Sequence, residues 1–105
     1  MSRDERRHDR LPFKGKIRLN WQEEGIRRTV IAVCEDASRS GMKIASPTRI
    51  ELRSFVQLEG MDFKLFGPAC VRHCDRQGIG YKLGLEFAGG VKMVVDGEEQ
   101  KIYAA

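Results

Sequence analysis

The 105-residue chain is 41% hydrophobic and 32% charged, a balance that suits one domain with a modest core and excludes both a disordered chain and a membrane-spanning helix. Nineteen Lys and Arg against 15 Asp and Glu leave a net charge of +4, too small for a dedicated duplex-DNA binder. Of those 19 cations 12 are Arg, whose planar fork pairs with phosphates and guanine edges and stacks on bases, so the composition points to an anionic, aromatic partner.

Residues 1–10, MSRDERRHDR, carry seven charged side chains and no apolar residue after Met1, and are expected to form a flexible basic arm. From Leu11 the pattern turns to period two. Ile17, Leu19 and Trp21 alternate with Lys16, Arg18 and Asn20, as a half-buried strand requires, and Glu23-Glu24-Gly25 reads as a turn. The run from Arg28 to Asp36 has apolar residues on both parities, which predicts a strand covered on two sides. Ser40-Gly41 breaks it, Met42 and Ile44 resume the alternation up to Ser46-Pro47, and Val56 and Leu58 carry a further strand closed by Gly60.

Phe63 to His73 reads as one long strand with a bulge or bend at Gly67-Pro68, because Pro cannot donate to a central ladder. Asp75-Arg76-Gln77-Gly78 reads as a turn, and Tyr81, Leu83, Leu85 and Phe87 alternate cleanly in a last strand. Six short strands without a helical period predict an all-β chain, a small antiparallel barrel or sandwich, over residues 11–88. Ala88-Gly89-Gly90 is expected to set off a C-terminal extension, residues 89–105, with Asp96-Gly97 as a hairpin signal.

Two constellations carry chemistry. Arg6 and Arg10, in an RxxxR pattern, lie about 13 Å apart in an extended chain and point the same way, so both guanidinium groups reach one compact ligand with two phosphates. Arg3 and Arg7 satisfy the same pattern in a shifted register, but Arg6 and Arg10 stand nearer the first strand. The second constellation, Asp36-Ala37-Ser38-Arg39-Ser40-Gly41, puts a carboxylate and a hydroxyl on one face of a strand end, with Gly41 supplying a positive φ or room for a ligand against the backbone.

With RxxxR ahead of the first strand and DxSxxG after the second, the chain resembles the PilZ domain family, cyclic di-GMP receptors built on a six-stranded barrel. The resemblance runs from about Glu5 to Phe87 through RRHDRLPF, DASRSGMKI, PACVRH and GYKLGLEF. It implies a bacterial cyclic di-GMP receptor in which Arg6, Arg10, Asp36, Ser38 and Gly41 form the ligand site, with Arg7 and Arg39 as auxiliaries. Arg satisfies guanine O6 and N7 bidentately, and a carboxylate accepts from the N1 and N2 edge. Glu5 departs from members that carry a further Arg there and hold two intercalated nucleotides, which favours one nucleotide per chain. The arm is expected to order on binding and so to create a surface for a downstream protein.

Other chemistries fit less well. Cys70 and Cys74 lie about 13 Å apart on a strand with His73 turned away, so with Cys34 they do not close on one zinc. No nucleophile motif accompanies the imidazoles of His8 and His73, and no enzyme activity, metal or cofactor is expected. Absence of a secretion pattern and an odd cysteine count point to a cytoplasmic, monomeric protein that engages neither DNA nor a membrane span. Trp21, Phe55, Phe63, Phe66, Tyr81 and Phe87 mostly fall on strand positions that the core needs and leave no exposed stacking platform, which weighs against a small RNA-binding barrel. A barrel that only engages protein is the other alternative.

Overall fold

A computed structural model describes residues 14–61, 63–89, 91–95 and 98–102. The strands are β1 Gly15–Glu23, β2 Ile26–Ala37, β3 Gly41–Ser46, β4 Phe55–Gly60, β5 Lys64–Gln77, β6 Gly80–Phe87, β7 Val91–Val95 and β8 Glu98–Ile102. They pair in the order β4-β1-β2-β3-β6-β5, and β5 pairs back onto β4 to close a six-stranded antiparallel barrel. Closure gives each of the six strands a neighbour on both sides. β1 turns into β2 through Glu24-Gly25, both at positive φ (53° and 82°), the geometry that matches the twist of a tight hairpin. No helix of the described residues is long and apolar enough to cross a membrane.

Period-two patterning becomes an inside and an outside. Ile17, Leu19 and Trp21 from β1, Ile44 from β3, Leu58 from β4, Val71 from β5 and Leu83, Leu85 and Phe87 from β6 fill the interior. Each such side chain contributes about 1.5–3 kcal/mol by leaving water. β2 corrects the expectation of a strand covered on two sides: Ala32 and Cys34 point in, whereas Ile31 and Val33 point out and are about 40% exposed. The sheet closes on itself and no second layer covers this strand among the described residues. Phe55 and Phe66, expected in the core, are also outward and 68% and 62% exposed, because their parity on β4 and β5 is opposite to that of Val56 and Leu65.

The register of β5 differs from expectation at both ends. Its pairing with β4 runs unbroken through Gly67 and Pro68, and the register shift lies later, between Val71 and His73 on the β6 side. Pro68 is tolerated because its backbone faces the interval between β6 and β7: the Pro68 carbonyl accepts from Ala88 N at 3.0 Å, and the missing N–H lies on the same edge. Asp75, Arg76 and Gln77 continue the strand, and the turn is Gly78-Ile79. Beyond Ala88, β7 resumes along the β5 edge that β6 leaves uncovered, with Phe66 opposite Lys92, and β8 pairs antiparallel with β7, whereas the expected Asp96-Gly97 turn lies outside the described residues. The barrel sheet therefore extends into the C-terminal hairpin.

Candidate functional site

Two β-bulges shape one groove on the outer face of the barrel. The first lies between Cys34 and Asp36 on β2, the second between Val71 and His73 on β5. A bulge inserts one unpaired residue and re-aims its neighbours. Here the first places the Asp36 carboxyl, and the second the Arg72 and His73 side chains, in a groove also lined by Ser38, Lys43 and Glu86.

Ladder partners tie the groove together. Asp36 pairs with Lys43, Lys43 with Gly84, and Gly84 with His73, so the four form one transverse row over β2, β3, β6 and β5. At about 4.8 Å per strand this row spans about 14 Å of curved surface. Gly84 keeps its middle low: a Cβ there would stand 3.1 Å from the His73 ring. A parallel row carries Gly41, Glu86 and Cys70, and Arg72 bridges the two by donating from Nε to Glu86 Oε1. The hydrogen bond and charge of Glu86 raise the Arg72 pKa above its ordinary value.

Among the sequence-predicted residues, Asp36, Ser38 and Gly41 come together in this groove, whereas Arg39 is exposed on the turn and does not line it. Arg6, Arg7 and Arg10, with the rest of the arm, lie outside the described residues. Ser38 organises its own turn: its N–H donates to the Gly41 carbonyl at 2.8 Å, and its Oγ accepts from Ser40 N at 3.3 Å. Gly41 has neither a positive φ nor an open face. A Cβ on it would meet the Leu85 carbonyl oxygen at 2.0 Å, so the close approach it permits is that of β6. Beneath Asp36, the fully buried Cys34 donates to the Asp36 carbonyl at 3.5 Å. Burial first, then the Asp36 carboxylate, push the Cys34 thiol up to about 12.

Lys43, Arg72, His73, Gly84 and Glu86 lie in the segments that carry the resemblance but are not among the ligand-site residues that it implies. Three of them left a trace. Arg72 and His73 stand side by side between inward Val71 and Cys74, a break in period two that signals a bulge, and Gly84 is a glycine inside an otherwise unbroken alternation.

The arrangement offers a carboxylate, a hydroxyl-braced turn, three nitrogen-bearing side chains and a flat glycine floor, which suits a ligand with both anionic and hydrogen-bonding heterocyclic parts. Comparison with curated proteins finds no match. The PilZ domain, a family of binding and adaptor domains that takes cyclic di-GMP as its ligand, matches residues 4–98. With that match over nearly its whole length and a closed six-stranded barrel, the chain belongs to the PilZ domain family.

Proposed function

We propose that this chain is itself a cyclic di-GMP receptor that binds the dinucleotide over the row from Asp36 to His73, with Arg6 and Arg10 closing on it from the arm. The observation that carries the reading is the convergence of Asp36 with Lys43, Arg72 and His73 in one groove through two bulges. The row of about 14 Å is commensurate with the roughly 13 Å between Arg6 and Arg10 in an extended arm. Asp36 accepts from the N1 and N2 edge of a guanine, the Arg pair takes O6, N7 and phosphate oxygens, and Lys43 adds a point charge. Output follows from the surface that arm, nucleotide and barrel build together, which a downstream protein reads.

The rival RNA-binding reading needs aromatic rings interleaved with cations. Phe55 and Phe66 are exposed, yet Phe66 faces Glu59 in the ladder and neither ring lines the groove. Calorimetric titration separates the readings: saturable binding of cyclic di-GMP that is lost in Arg10→Ala and Asp36→Ala supports the receptor, and absence of binding to the unaltered chain refutes it.

A further inference from the structure

We propose that Arg72 is a guanine-reading residue supplied by the barrel wall and that Glu86 is its positioning residue. This rests on the receptor reading above and assigns part of its base selectivity to a place outside both sequence motifs. The geometry is specific. Arg72 follows Val71 at the β5 bulge, lines the groove, and is held through Nε alone by Glu86 of β6. Its two terminal nitrogens have no hydrogen-bond partner among the described residues.

An exposed ion pair of this kind adds little to stability, so the pair is better understood by what it leaves available. With Nε occupied, the terminal edge of the guanidinium offers two N–H groups in a fixed fork, the shape that matches paired acceptors. The charge decides which acceptors. Arg72 is already compensated by Glu86, whose carboxylate repels a phosphodiester approaching the same guanidinium but not a neutral base edge. Lys43 carries no ion pair among the described residues and stands nearer the centre of the row, so it is the better phosphate partner. Arg72 is thus matched to guanine O6 and N7, the pair that Arg reads bidentately.

A chemical mutant cycle tests this with intact protein and two ligands, cyclic di-GMP and its 7-deazaguanine analogue, which lacks N7 but keeps the phosphates and the N1 and N2 donors. The unaltered chain is expected to bind the analogue about fivefold to tenfold more weakly. Arg72→Ala and Arg72→Lys are expected to lose about tenfold for cyclic di-GMP and to keep only the part of the N7 discrimination that the Arg6 and Arg10 pair supplies at the other guanine, since Lys keeps the charge without the fork. Glu86→Gln, which retains an acceptor for Nε, should keep the discrimination, and Glu86→Ala should lose most of it. Equal discrimination in the Arg72 variants and the unaltered chain overturns the inference, as does an unaltered chain indifferent to N7. If Arg10→Ala loses cyclic di-GMP while Arg72→Ala binds it normally, the receptor reading stands and this inference falls. An unaltered chain that binds neither ligand ends both.

Discussion

Gly41 lies against Leu85 so closely that a Cβ built on it would stand 2.0 Å from the Leu85 carbonyl oxygen and 3.1 Å from the carbonyl carbon. Both atoms are backbone, so the neighbour cannot rotate aside. Gly41→Ala is therefore expected to force β3 away from β6 and to destabilise the barrel by about 1–3 kcal/mol, as overpacking does. Urea denaturation checks it. A variant as stable as the parent would show that β3 and β6 separate freely, and the glycine would then need another explanation.

Gly25 offers the contrasting case. Nothing lies within 4 Å of a Cβ built there, but its φ is +82°, in the region that L side chains avoid. Gly25→Ala is expected to cost about 1 kcal/mol through backbone conformation alone. Gly25→Asn, whose side chain tolerates the left-handed region, should recover part of that loss in the same denaturation assay.

Cys34 gives the fold an alkaline liability. Its thiol is pushed from an ordinary 9.0 up to about 12, first by burial and then by the Asp36 carboxylate. Above the unfolded value the unfolded chain releases this proton while the folded chain retains it. Stability from this group is thus whole below pH 9 and declines towards pH 12, by about 1.4 kcal/mol per unit at the steepest. Denaturation at pH 8 and pH 10 should show a steeper alkaline loss in the parent than in Cys34→Ala, which lacks the titrating group. Equal slopes would mean that the thiol ionises alike in both states.

Guanine selectivity is expected at the level of the whole site. Adenine replaces the O6 acceptor with a donor, so cyclic di-AMP should bind at least about tenfold more weakly than cyclic di-GMP. Competition in a calorimetric titration measures the ratio directly. Equal affinities would remove the guanine-edge roles given to Asp36 and the Arg residues.

The barrel was legible because each strand that buries one face writes its parity into the sequence. Ile17, Leu19 and Trp21, or Leu83, Leu85 and Phe87, needed no tertiary information. Ile31, Val33, Phe55 and Phe66 misled because an apolar residue at an outward position looks the same in sequence as one at an inward position of a doubly covered strand. At the groove, Asp36 and Ser38 were visible as a local turn motif. Their companions were not: Lys43, on the next strand, stands opposite Asp36 only because of the bulge after Cys34, and Gly84 and His73 join the row only through pairings with strands distant in sequence. The bulge between Val71 and His73 hides still better, since the Gly67-Pro68 pair upstream looks like the natural place for one.

Amide chemical-shift mapping tests the central claim most directly, because it locates the ligand without presupposing which side chain matters. On titrating cyclic di-GMP, the largest changes are expected along the row at Asp36, Lys43, Gly84 and His73, in the Ser38 to Gly41 turn, and at Arg6 and Arg10. Gly25, on the β1–β2 turn, should stay still. Changes centred on Phe55 and Phe66 instead, or no change at saturating ligand, would contradict the account.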